Sequence, residues 1–186
     1  LSRFAECLIP FIDQDENKAV KSATELIETF GKKYEEKWLK MMRKKLGLLG
    51  EDNKDKFLIV DLLTWMHQNK VDYTNTFCHL MNLKDYDDDS YKDDNFQKWK
   101  KNWLERLKLN NNTQENYTKL MRSVNPLVIP RNHKIENALE KANDSNLEPF
   151  NKLLKILKAP YDLHENISDY LKMDTSLKDY KTFCGT

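Results

Sequence analysis

The sequence predicts an all-α protein, an irregular helical domain, and three observations carry that expectation. Only four of its 186 residues are glycine and five are proline, too few turn formers for a many-stranded sandwich or barrel. Apolar side chains recur every three or four positions over most of the chain, the period of a helix that buries one face. Asp52, Asp72, Thr113, Asn132 and Asn146 stand just ahead of such runs, where helix caps belong. The expectation is one helical domain over residues 1–186, with an irregular tail over 160–186 that carries Cys184. A chain of this length can bury a core without disulfide staples.

Taken in order, Phe4, Leu8, Ile9, Phe11 and Ile12 mark a short amphipathic helix, bent or ended near Pro10. From Asp15 to about Leu46, a stripe through Ala19, Ala23, Phe30, Tyr34, Trp38 and Met42 traces one long helix. Gly31 sits inside it at a cost of about 1 kcal/mol against Ala. Gly47 and Gly50 end it as C-cap glycines do. Asp52 then caps a helix through Gln68 that is apolar on nearly every side and is expected to be central and buried. Asp72 starts a shorter helix ending near Met81. The Asp-rich stretch 85–94 reads as an exposed connection. Phe96, Trp99, Trp103 and Leu107 share the core face of the next helix, and Thr113 caps one that runs to Ser123. Pro126 and Pro130 bracket three apolar residues and force an extended passage. Asn132 caps a helix carrying Ile135, Ala138 and Leu139. Asn146 caps another, with Pro149 in its first turn, and Ala159-Pro160 stops it.

Several function classes are excluded at this level. Lys and Arg number 31 against 30 Asp and Glu, so the net charge of +1 gives no sequence-wide pull toward nucleic acid or an anionic membrane. No long apolar run marks a membrane span, and no secretory signal precedes the domain. The four glycines cannot write a phosphate-binding loop of either the Walker or the dinucleotide type. Kinase catalytic and metal loops, a Gly-x-Ser-x-Gly elbow and a His-Glu-x-x-His helix are also absent. No catalytic, cofactor-binding or metal-ligating residue is therefore assigned.

Remaining constellations have simpler structural readings. Asp85, Asp87 and Asp89 take the first, third and fifth places of a calcium loop, but Ser90 and Phe96 stand where Gly and Glu are required. Trp99 and Trp103 could stack on bases among the lysines of their helix, yet they lie on the same stripe as Phe96 and Leu107. His67, His79, His133 and His164 show no ligand spacing. Three scattered cysteines suit a reducing, cytoplasmic compartment; Cys7 and Cys78 lie on apolar faces and are expected as inert core thiols. Cys184, third from the end, is either an exchange-competent thiol or an incidental tail cysteine. The chain opens Leu1-Ser2-Arg3-Phe4, without Met and already inside a periodic run, which suggests a cut within a larger protein.

Three stretches together carry a resemblance: Met121-Arg122-Ser123-Val124-Asn125-Pro126, Ile129-Pro130-Arg131-Asn132-His133, and Phe150-x-x-Leu153-Leu154-x-x-Leu157-x-x-Pro160-Tyr161-Asp162. They resemble the C-terminal region of the selenoprotein O (SelO) family, and Leu1-Ser2-Arg3-Phe4-Ala5-Glu6, the Tyr34–Leu48 helix end and Asp72-Tyr73-Thr74 agree. Asn143-Asp144-Ser145-Asn146 departs from the family, standing where many members have a Gly-containing turn. The resemblance implies an atypical protein-kinase fold, with this chain as the C-terminal part of its large lobe. It also implies transfer of AMP from ATP to Ser, Thr or Tyr hydroxyls of proteins, with Mg2+ or Mn2+. Residues that bind nucleotide and metal lie, in such members, ahead of a segment like this one, so none is carried over. Asn125, Pro126, Arg131, Asn132, Pro160, Tyr161 and Asp162 would be structural members of the motif. Cys184 falls where some members have selenocysteine, which favours its redox reading. The implied partners are the missing catalytic portion of the same polypeptide and protein substrates, and an isolated fragment could dimerise. The alternative is a free-standing helical interaction module without enzymatic activity. An apolar surface at Phe4, Leu8 and the Trp38 helix would favour the fragment; a polar one there would favour the module.

Overall fold

A computed structural model describes residues 1–83, 88–164 and 167–171, with Asn111 described by its backbone alone. Among these residues every regular element is helical: α1 (Ser2–Ile12), α2 (Glu16–Lys45), α3 (Asp55–Asn69), α4 (Tyr73–Leu80), α5 (Asp94–Leu107), α6 (Gln114–Arg122), α7 (Asn132–Asn143), α8 (Glu148–Leu157) and α9 (Ser168–Leu171). Short 3-10 turns occupy Asp89–Lys92 and Leu109–Asn111. The all-α expectation holds. The chain divides into two compact units, Leu1–Met42 and a second beginning at Arg43.

In the first unit α1 keeps Pro10 inside its last turn and stops two residues later, where Asp13 turns extended. None of its residues is buried, and Phe11 is 85% exposed. Over its length α2 buries only Ala19, Ala23 and Met42. Leu26, Phe30, Tyr34 and Met41 stay exposed, with the Phe30 and Tyr34 rings stacked 6.0 Å apart. Gly31 is followed by unbroken helix, and a Cβ there would meet nothing within 4 Å. Cys7 is exposed, its Sγ 3.3 Å from the carbonyl of Arg3, and so is not the core thiol that its apolar neighbours suggest.

The second unit opens on the end of α2. Gly47 takes φ +70°, the Leu48 amide donates to the Arg43 carbonyl (2.9 Å) and the Gly47 amide to that of Lys44 (3.0 Å). These two bonds satisfy carbonyls that a helix end leaves without partners. A Cβ on Gly47 would sit 2.9 Å from that of Tyr117, so glycine is needed both for the conformation and for the approach of α6. The core stripe of α5 is as the period predicts: Phe96, Trp99, Trp103 and Leu107 are buried. Each buried indole also finds an acceptor. Trp103 donates to the Leu46 carbonyl (2.9 Å), Trp99 to that of Leu58 (2.8 Å), and Trp65 to the Asp93 carboxylate (2.8 Å). Their rings are thus committed to the core rather than open to bases.

Some boundaries differ from the expectation for local reasons. α3 starts at Asp55, not after Asp52, because the Asp52 carboxylate instead accepts from the Lys54 amide (2.8 Å) in a tight turn. The helix is also not buried all round, for Phe57 is 71% exposed and Val60 is exposed beside it. Asp72 and Thr113 cap α4 and α6 as expected. Asn132 is the first residue inside α7, with Arg131 at the cap position. Asn146 lies one residue before the cap of α8 yet still accepts from the Glu148 amide (3.1 Å).

Asp55 occupies the centre of this unit, fully buried. Arg43 Nε donates to it at 2.6 Å, Arg106 Nε at 2.7 Å and Nη2 at 3.2 Å, and the Asp52 amide at 3.0 Å. Burial alone would push the carboxyl up, but the Arg106 and Arg43 bonds outweigh it and hold the group below the usual carboxylate range. Stability from this group is thus complete above its unfolded value of about 3.9 and is lost as the pH falls through its lower folded value. Asp55→Asn should cost about 3–5 kcal/mol at neutral pH, because it leaves the buried Arg106 guanidinium without its anion and leaves Arg43 only the exposed Glu51. Urea denaturation should show that the gap between wild type and variant closes below about pH 4. A gap that is constant with pH would contradict the assignment.

Candidate functional site

Four of the motif residues, Asn125, Pro126, Arg131 and Pro160, lie in or against one passage that leads into a second cluster, around Arg131. Pro126 and Pro130 keep the passage between α6 and α7 out of helical geometry, and Leu127 and Val128 are buried within it. Their amides donate to one acceptor, the Pro160 carbonyl, at 2.7 and 3.3 Å. Asn125, buried at the start of the passage, donates from Nδ2 to the Lys45 carbonyl (2.8 Å) and ties it to the end of α2. The Cys78 thiol, buried as expected, lies 3.6 Å from the Pro126 carbonyl.

Beyond Pro130 the Arg131 guanidinium turns inward. Nη1 donates to Asp72 Oδ2 (2.7 Å), Nη2 to Asn75 Oδ1 (3.0 Å) and Nε to the Tyr170 carbonyl (3.1 Å). Asn75 passes the connection on, donating from Nδ2 to the Leu171 carbonyl (3.0 Å). The other oxygen of Asp72 caps α4 through the Asn75 amide (2.7 Å). Two consecutive carbonyls of α9 are thereby bound by side chains from α4 and the start of α7. Lys134 Nζ lies 5.7 Å from the centre of the Tyr170 ring. Ile167, Tyr170 and Leu171 are buried, so α9 is held by its apolar side and by its carbonyls together.

Chemically this arrangement binds and orients. Arginine does not release its proton in a protein, and its fork matches several acceptors at once. Of the motif residues, Asn125, Pro126, Arg131 and Pro160 act in the connected passage. Asn132 begins α7, and Tyr161 and Asp162 are exposed on the turn after α8. Cys184, Asp85 and Asp87 lie outside the described residues, while Asp89 pairs with Lys92 at 2.6 Å. Among the described residues no three His, Cys, Asp or Glu side chains are grouped to hold a metal ion. No described helix is long and apolar enough to cross a membrane.

Several partners in these clusters escape a reading of the sequence. Asp72 reads as a cap and as part of the family resemblance but not as the partner of an arginine, and Asn75 and Asp55 carry no motif. Arg106 reads as one of the solvated cations of α5. A signal did exist: Arg106 follows Trp99 and Trp103 at helical spacing, and Asp55 precedes Ile59 and Leu62 in the same way. Charged residues in register with a core stripe point to a buried pair.

The family model described as Protein adenylyltransferase SelO matches residues 1–158. The chain belongs to the SelO family. Among its relatives, the protein nucleotidyltransferase YdiU of Pelagibacter ubique is 51% identical over 187 residues, covering all of this chain and 39% of the relative. That of Alcanivorax borkumensis is 42% identical over 188 residues, with the same coverage. That of Clostridium beijerinckii is 38% identical over 187 residues, covering all of this chain and 38% of the relative. The chain thus spans less than two-fifths of the length of these SelO relatives.

Arg131→Gln should release the Tyr170 carbonyl and leave Asp72 without its cation. The expected loss is about 2 kcal/mol of stability, the scale of a charge-assisted hydrogen bond. Hydrogen exchange should speed up at 167–171 while α3 and α5 remain protected. Uniform acceleration over all helices would instead make Arg131 a general stabiliser.

Proposed function

We propose that these residues form the non-catalytic, C-terminal helical portion of a protein adenylyltransferase. The complete polypeptide would transfer AMP from ATP to Ser, Thr or Tyr hydroxyls of proteins, using Mg2+ or Mn2+, and would work in the cytoplasm. The observation that carries this reading is the exposed apolar stripe of α1 and α2. Phe4, Leu8, Phe11, Leu26, Phe30 and Tyr34 face solvent in a chain that matches SelO throughout these helices. Burying a large apolar side chain is worth about 1.5–3 kcal/mol. A free-standing module would gain by making these positions polar, whereas a portion of a longer chain packs them against the remainder. That remainder, in a kinase-like fold of which these helices form the back of the large lobe, is the occupant proposed for the stripe. Neither the metal nor the nucleotide is assigned a residue here, and no chemical step is routed through this chain.

Calorimetry separates the two parts. The complete polypeptide should bind ATP with Mg2+ and pass a label from the α-phosphate to protein hydroxyls. Residues 1–186 alone should show no saturable ATP binding, and micromolar, metal-dependent binding to them would overturn the division of labour. Cys184 is proposed as the redox-responsive thiol of the complete enzyme, since exchange requires only an accessible thiolate with a partner cysteine in reach. Alkylating Cys184 should then abolish any effect of thiol oxidants on activity; an unchanged response would remove Cys184 from that role.

A further inference from the structure

A groove of about 750 Å³ runs between the first half of α3 and the last half of α5, away from the Arg131 cluster in sequence and in lining. Phe57 and Leu109 put exposed apolar surface into it, 71% and 47% exposed. Asp52, Asp61 and Glu105 bring carboxylates to the same groove, against Lys54 as its solvent-facing cation. Glu105 is met on the surface by Lys108 at 3.0 Å, while Asp52 and Asp61 pair with no cation among the described residues. Arg106 also lines the groove and is only 8% exposed. Its Nε and Nη2 are taken by Asp55 and the Leu49 carbonyl, but its Nη1 is buried without an acceptor among the described residues. A buried donor left in that state costs about 1–3 kcal/mol.

These features select one kind of occupant. An apolar side chain would cover Phe57 and Leu109. An anionic occupant would meet Asp52 and Asp61, so the fitting main chain is neutral and its charged side chains are cationic. Cationic side chains on either side would answer Asp61 and Asp52. We propose that the groove docks an extended basic–apolar segment of a protein substrate, at a distance from the hydroxyl that is modified. The choice of a substrate as the source rests on the proposed function, in which the complete polypeptide acts on proteins. The groove chemistry itself does not depend on that reading. Docking of this kind would raise the local concentration of a substrate and leave the chemical step unaltered.

The test uses the complete polypeptide and two short fluorescein-labelled peptides, one alternating Leu and Lys, the other alternating Leu and Glu. The basic peptide should bind saturably, and the acidic one at least about tenfold more weakly. Asp61→Lys and Phe57→Ser, both at exposed positions, should each weaken the basic peptide by about tenfold. If no saturable binding occurs, if the two peptides bind alike, or if both variants bind as wild type, the groove proposal is wrong. Protection of Phe57 from hydroxyl-radical labelling in the complete polypeptide without peptide would place its own chain in the groove, and would equally overturn it. A protein acceptor extended by the basic–apolar stretch should show a lower KM for AMP transfer at unchanged kcat, and Asp61→Lys should erase that difference. Peptide binding without any AMP transfer would sink the adenylyltransferase reading and the assignment to a substrate, but keep the basic–apolar specificity of the groove.

Discussion

The Asp55 carboxylate is the constraint on which the rest of the second unit depends. It joins the end of α2 through Arg43, the 49–52 turn through the Asp52 amide, the start of α3 on which it stands, and the end of α5 through Arg106. Arg106 in turn binds the Leu49 carbonyl, so the turn is held at two points. Such a charge in a fully buried position is tolerable only because several donors share it. The same requirement fixes geometry: the end of α2, α3 and α5 cannot shift along one another without breaking a bond to Asp55. The apolar contacts between α3 and α5 would tolerate sliding more readily.

The Arg131 cluster uses similar chemistry for a different purpose. Its acceptors include two main-chain carbonyls on α9, a helix of four residues that could not persist alone. Arg131 and Asn75 supply a donor to each. The position of α9 is therefore held by Asn75 and Arg131, remote from it in sequence. The Asn125 bond to the Lys45 carbonyl connects this region to the end of α2, and Arg43 in the same turn connects to Asp55. The two clusters are thus joined through the last turn of one helix.

Much of this architecture was legible in the sequence where one physical signal governs one element. Trp99 and Trp103 with Phe96 and Leu107 specify a core face, and Pro126 with Pro130 specifies an extended passage. Gly47 specifies the stop of α2 because only glycine takes φ +70° with Tyr117 so close. Legibility failed where the outcome depends on another element. Asp55 and Arg106 are each unremarkable alone and become a core feature only as a pair separated by 51 residues. Asn75 acquires a role only through α9. Cys7 and Phe57 read as core because their periodicity was apolar, but periodicity shows which face is apolar and not what covers it. The SelO resemblance singled out Arg131 in the sequence, yet the sequence could not say that its side chain would bind α9 rather than its own helix.

That distinction between an apolar face and its cover also explains how the two units differ. The second unit has a buried ion pair, satisfied indoles and capped helices, so its interior is closed by residues of its own. The first has a long helix with three buried residues and a companion with none, so its stripe meets no comparable interior. Local helix propensity and a Pro in the last turn of α1 cannot compensate for that exposure, since most helical stability comes from packing an amphipathic face. The sequence nevertheless has phenylalanine at positions 4, 11 and 30, where a solvent-facing helix is served equally well by polar residues. In the function proposed above that stripe is covered by the remainder of a longer polypeptide, and the structure of α1 and α2 would then be inseparable from it.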